Sequence, residues 1–211
     1  MKNRGCFLLL LLALAGKTIT VSAQASGVQV QVYDYTGLSP AALHEFTSRT
    51  QAILASSGAS LEVDACARGN ALCESRSGSA RQVVIRVVAD WGKNKTSANL
   101  EKLGMSVAGP NGGAYGTVFL KAAEEMASDA NLPQTTVLAY AAAHEVGHLL
   151  LGAQAHTSRG LMKATWGHDD FQAMTQNGVH FSSEQARELA ERFGSSQQVV
   201  SASDTAVAAR R

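Results

Sequence analysis

The sequence is short of charge. Its 18 basic and 17 acidic residues nearly cancel, leaving a formal net charge of +1. Nothing in that balance points to nucleic acid or to an anionic membrane surface as a partner. Long apolar runs are missing too once the first 25 residues are passed, since no later stretch is long enough to span a bilayer. No internal repeat is present. Cysteine is rare, with 3 in the chain, and none directly follows the triplet Ala23-Gln24-Ala25, which argues against a lipid-anchored lipoprotein. The 211 residues are enough for one domain with its own core.

The first 25 residues form a separate object. Lys2 and Arg4 make a basic start, and Phe7 to Ala15 is an apolar run too short to cross a bilayer comfortably. Ala23-Gln24-Ala25 has the small-x-small form of a signal-peptidase site. Residues 1–25 are therefore expected to be a signal peptide, which places the mature chain in the periplasm or outside the cell. Its removal takes Lys2, Arg4 and Lys17 and no acid, leaving 15 basic and 17 acidic residues and a formal charge of −2. Cys6 is lost with it, so Cys66 and Cys73 remain. Two cysteines seven positions apart in an exported chain read as one local disulfide. So short a loop gives about 2–3 kcal/mol by chain-entropy reasoning. Residues 195–211 are mostly serine, alanine and valine, without period or aromatic anchors, and are expected to be a disordered tail. That leaves one domain over residues 26–194.

Within the domain, VQVQVYDY at 28–35 alternates like a strand with one buried face. Ser39 and Pro40 read as the N-cap and first position of a helix that Gly58 stops. Leu61 to Ala65 alternates again, and Gln82 to Ala89 is β-branched enough for an interior strand, with Arg86 paired or at the sheet margin. Asp90 to Gly113 reads as loop, with a short helix around Leu100 to Leu103. Tyr115 to Leu120 reads as a strand and Lys121 to Ala130 as a helix. Gln134 to Leu151 is apolar almost all round, the pattern of a helix inside the domain. An irregular stretch with an Asn177-Gly178 turn leads to a last helix, marked by a Ser182-to-Gln185 capping box and closed by Gly194.

The buried helix carries polar residues that need a reason. His144, Glu145 and His148 are spaced H-E-x-x-H. Residues four apart share a helix face, so the two imidazoles can meet one ion while the carboxylate reaches a water beside it. Catalytic zinc typically takes three protein ligands and keeps a fourth position for water, whose proton a nearby carboxylate accepts. Gly152 is placed to end the helix in a left-handed turn and let the chain fold back. His156, four residues on, is the candidate third ligand, and His168, His180 and Asp169 are alternatives. Asp170, like Asp169, could be a third ligand or could support an imidazole from behind. Glu184 is accounted for by the first turn of its capped helix.

HEVGHLLLGAQAH followed by GLM resembles the metzincin superfamily of zinc endopeptidases, most of all its matrixin-type branch. It also resembles uncharacterised exported bacterial proteins with an HEIGHLLLG, a histidine and GIM. The resemblance covers much of the mature domain, including the paired cysteines and the GTVF strand. It implies an α+β fold: a twisted mixed sheet of about four strands, one earlier packing helix, the H-E-x-x-H helix and a C-terminal helix. It implies His144, His148 and His156 as ligands of Zn2+, Glu145 as general base, and Met162 in a methionine turn beneath the metal. It also implies that Tyr115, Gly116, Thr117, Val118 and Phe119 form a strand edge that binds extended substrate; a plain sheet edge is the other reading. One departure stands out. The superfamily spacing is H-E-x-x-H-x-x-G-x-x-H, and here the third histidine comes two positions late, with Gln154 in its place.

The expected activity is peptide-bond hydrolysis by a secreted zinc endopeptidase, in which Glu145 takes a proton from zinc-bound water. The expected partner is a peptide or protein substrate. The alternative is a non-catalytic zinc-containing module that binds a peptide or protein partner. No cysteine-switch propeptide fits between Ala25 and the first strand. Oligomeric state and cleavage specificity have no signature in the sequence.

Overall fold

The computed structural model describes residues 27–66, 73, 81–91 and 102–194. The expected signal peptide (residues 1–25) and the expected tail (residues 195–211) lie outside the described residues, as do residues 92–101 of the expected loop. In chain order the elements are β1 (Val28–Asp34), α1 (Pro40–Ala55), β2 (Leu61–Cys66), β3 (Arg81–Val88), β4 (Gly104–Gly109) and β5 (Gly112–Phe119). Then come α2 (Leu120–Ala130), α3 (Gln134–Leu151), α4 (His168–Thr175) and α5 (Ser183–Phe193).

The strands form one sheet in the order β2-β1-β3-β5-β4. β1, β2, β3 and β5 run parallel, and β4 is antiparallel to β5. The sheet therefore has five strands among the described residues rather than about four. The added strand is β4, in a stretch expected to be loop. Of the short helix expected around Leu100 to Leu103, Lys102 and Leu103 are not helical and residues 100–101 lie outside the described residues. A tight hairpin through Pro110-Asn111 pairs Gly109 with Gly112, and a register shift follows at Val107/Ala108. The hairpin also moves β5 inward: Tyr115 to Phe119 is not an edge, because β4 covers it.

The inner face of the sheet is apolar: Val28, Val30, Val32, Val83, Ile85, Val87 and Val118 are buried. α3 packs over β3, β4 and β5, and α1 packs on β2 and on α3. Ser39 caps α1, its Oγ accepting from the Ala42 amide at 3.2 Å. On β1 the alternate residues Gln29 and Gln31 are buried as well, so that strand is covered on both faces. Gln31 Nε2 donates to the Cys73 carbonyl at 2.7 Å. Cys66 and Cys73 are joined, as their spacing predicts, with Cα atoms 5.9 Å apart. Arg86 lies on interior strand β3, where its guanidinium donates to Thr117 Oγ1 at 3.1 Å.

α3 is the central element. From Thr135 to Leu150 every residue is buried except His144, which is partly so. No described helix is long and apolar enough to cross a membrane. α5 begins with the expected capping box, Ser182 Oγ accepting from the Gln185 amide while Gln185 Oε1 accepts from the Ser182 amide. α4 is an addition to the sequence reading, formed where an irregular stretch was expected. Gly167 at its N-cap offers no side chain to mark the start, and Asp169 and Asp170 in its first turn were the available signal.

Candidate metal centre

One turn of α3 carries His144 and His148 on the same side, and the chain after the helix brings His156 back to them. His148 Nε2 stands 3.1 Å from His144 Nε2 and 3.0 Å from His156 Nε2. One ligand atom from each of the three residues lies within 4.8 Å of the others. The remaining nitrogens decide the chemistry. His144 Nδ1 is 2.8 Å from the Leu161 carbonyl and His148 Nδ1 is 3.2 Å from the Gly152 carbonyl. A carbonyl only accepts, so each Nδ1 carries the proton and each Nε2 is left as a bare lone pair.

His144 and His148 thus face each other lone pair to lone pair, with no proton to share. A cation between them turns that repulsion into ligation. Two nitrogens held at about 2.0–2.1 Å on a tetrahedral ion stand roughly 3.3 Å apart, close to the spacing here. The donor set fits zinc. The backbone carbonyls behind both rings are the supports that such ligands ordinarily have.

The late third histidine is delivered by a turn tied on both sides. Gly152 ends α3 at φ 103° and ψ 172°. That is extended backbone at positive φ rather than the left-handed helical turn expected, and it is open only to glycine. A Cβ there would stand 2.6 Å from the Pro110 carbonyl. The next amide, Ala153, donates to the Gly109 carbonyl at 3.2 Å, so the β4–β5 hairpin holds the start of the turn. At its far side Gln185 of α5, itself buried, donates to the Ala155 carbonyl at 2.7 Å. Gln154, in the place that the shorter spacing assigns to the ligand, is exposed and outside the histidine group.

Met162 is fully buried beneath the helix. A Cβ added to Gly147 would overlap its Sδ and stand 3.0 Å from Phe181 Cε1, so the helix is narrow where the methionine passes. The segment is braced by Thr157 N–H donating to the Met162 carbonyl at 2.9 Å and Leu161 N–H donating to the His180 carbonyl at 2.7 Å. His180 thus acts through its backbone, while its exposed ring meets Ser56 Oγ at 3.2 Å. Asp170 is occupied by the Gly167 amide at 2.7 Å and by Lys163 Nζ at 2.5 Å. His168, Asp169 and Glu184 are exposed, and none of these residues joins the three histidines.

Glu145 has 5 % of its surface exposed. Its carboxylate is met by Ser106 Oγ, which also stands 3.0 Å from the Glu145 carbonyl. Sequence reasoning missed Ser106 because β4 was not seen. It also missed Trp166, whose ring sits edge-on to His144 at 5.7 Å and to Tyr140 at 6.3 Å, walling one side of the centre.

No family model and no curated protein matches this chain. Among solved structures it is similar to archaemetzincin (amzA) from Methanopyrus kandleri, with 12 % identity over 80 % of this chain and 97 % of that one. The TM-score is 0.47.

Burial sets the protonation of the centre. It pushes the Glu145 carboxyl up to about 7, against the opposing Ser106 hydrogen bond. It pushes the His144 imidazole down to about 4; the Leu161 carbonyl opposes this, and the neighbouring His148 and His156 add to it. Burial lowers His148 as well. In the metal-free protein these shifts pull stability in opposite directions. Neutral His144 stabilises fully above its ordinary 6.5 and loses that contribution as pH falls toward 4. Protonated Glu145 stabilises below its ordinary 4.5 and loses that as pH rises toward 7. Each amounts to about 3 kcal/mol when fully lost. Unfolding of the metal-free chain by denaturant is therefore expected to vary little between about pH 6.5 and 5, with His148 tipping it slightly toward loss in acid. Glu145→Gln removes the opposing slope and should lose about 2 kcal/mol more than the parent over that interval. Parallel curves for the two proteins would mean that Glu145 is not held protonated.

Proposed function

We propose that this chain is an exported zinc-dependent endopeptidase of metzincin type, with His144, His148 and His156 as the ligands and Glu145 as the general base. The observation that carries the reading is the pair of Nδ1-to-carbonyl hydrogen bonds that leaves bare Nε2 lone pairs converging with a third imidazole. When bound, zinc supplies a Lewis acid that polarises the scissile carbonyl and makes an attacking water more acidic. Glu145, buried on α3, takes a proton from the attacking water and passes it to the leaving amine. Met162 supports the helix from below. The Cys66–Cys73 bond suits an oxidising compartment outside the cytoplasm, in keeping with the signal peptide read from residues 1–25.

The substrate-pairing edge moves from β5 to β4. β4 has no strand on its other side among the described residues, it packs against α3, and its Ser106 touches Glu145. An extended peptide added there would continue the sheet beside the general base. Met105, Val107 and the Val107 partner Tyr115 are exposed at 40, 69 and 57 %, apolar positions at the margin where its side chains would lie.

The test is zinc content together with casein hydrolysis by the mature chain, before and after metal removal by a chelator. Stripping is expected to abolish hydrolysis and one equivalent of zinc to restore it. Zinc bound without hydrolysis would favour the binding module instead.

A further inference from the structure

We infer that Ser106, in the middle of edge strand β4, is a positioning residue for Glu145. The inference rests on the peptidase reading and deepens it: the strand proposed to pair with substrate also holds the general base.

The Glu145 side chain leaves α3 toward the sheet and ends against two strands. Ser106 Oγ hydrogen-bonds its Oε2. Gly104, two residues earlier on β4 and so on the same face, leaves room for the rest of the carboxyl. A Cβ there would stand 2.6 Å from Oε1 and 2.8 Å from Cγ. Gly116, the register partner of Ser106 on β5, faces the root of the side chain, where a Cβ would be 3.3 Å from Glu145 Cβ and 3.4 Å from Ser106 Oγ. Two glycines and a serine thus form a slot for this side chain that a Cβ on either glycine would narrow.

A buried carboxylate needs a donor wherever it lies, so the hydrogen bond alone would be a matter of stability. Its place in the fold gives it a further role. Ser106 has one proton and two Glu145 oxygens in reach; the ionised carboxylate is the stronger acceptor, and the bond fixes the rotation of the carboxyl. A peptide paired on the free side of β4 lies one strand spacing away, about 4.8 Å. The same short strand then sets both the place of the scissile bond and the orientation of the base.

The experiment is steady-state peptide hydrolysis by Ser106→Ala, Ser106→Cys and Gly104→Ala beside the parent, with zinc affinity measured on the same samples. Ser106→Ala removes the donor, Ser106→Cys keeps the size but weakens it, and Gly104→Ala fills the slot. Each is expected to lower kcat by about 10–100-fold, as loss of a supporting hydrogen bond does, with KM within about twofold and zinc affinity unchanged. An active parent beside a Ser106→Ala or Ser106→Cys variant with parental kcat overturns the inference alone. So does a change confined to KM, which would make β4 a docking strand only. A parent that binds zinc and hydrolyses nothing overturns the general-base reading and this inference with it.

Discussion

Glu145→Gln is expected to lower peptide hydrolysis by about 10²–10⁴-fold, the usual worth of a positioned general base, while zinc stays bound. The substitution separates chemistry from packing. Glutamine keeps the length and shape of the side chain, and its carbonyl oxygen can still accept from Ser106, so the slot formed with Gly104 and Gly116 stays filled. What it loses is the ability to take up a proton. Glu145 is not part of the histidine group, so the ligand set is untouched. Initial rates and zinc content measured on the same preparations check both halves. An unchanged rate would remove Glu145 from the mechanism, and loss of zinc would make it a support of the metal centre instead.

Three substitutions around the turn after α3 should fall in a fixed order of zinc affinity. His156→Ala removes a proposed ligand and is expected to cost the most. Gln185→Leu removes the hydrogen bond to the Ala155 carbonyl and should cost about 10–100-fold, the range for a residue that supports a ligand from behind. Gln154→Ala alters an exposed side chain outside the group and should leave affinity unchanged. Competition against a chromophoric chelator gives all three values. If Gln154→Ala cost as much as His156→Ala, the shorter superfamily spacing would apply after all and the turn would be wrongly assigned.

The parts of this centre that lie close together in the chain were legible in the sequence. His144 and His148 declare their shared face by spacing, the run from Val137 to Leu150 declares its burial, and Ser182 with Gln185 declares a helix start. Cys66 and Cys73 declare a bond by proximity. What did not show was a strand too short to declare itself and the side chains that meet only when distant segments pack. β4 is six residues long and bounded by glycines, and its alternation covers only Met105, Ser106 and Val107, too little to register as periodicity. The Pro110-Asn111 hairpin was the missed signal. The resemblance puts Tyr115 to Phe119 at an edge, and the strand that covers it is its own neighbour in sequence, joined by a two-residue turn. Ser106 and Gln185 are ordinary polar residues until the fold brings one to Glu145 and the other to Ala155.

The turn between Gly152 and His156 is anchored at Ala153 by the β4–β5 hairpin and at Ala155 by α5, while Gln154 between them points into solvent. A residue gained at that exposed apex can bulge outward without moving an anchor or the histidine, whereas a loss there would make Ala153 and Ala155 neighbours and break the turn. Gly147 has no such latitude, since any side chain there meets Met162. Chains that share these two anchors should therefore accept added residues before the third histidine but not fewer, while keeping a glycine immediately before the second.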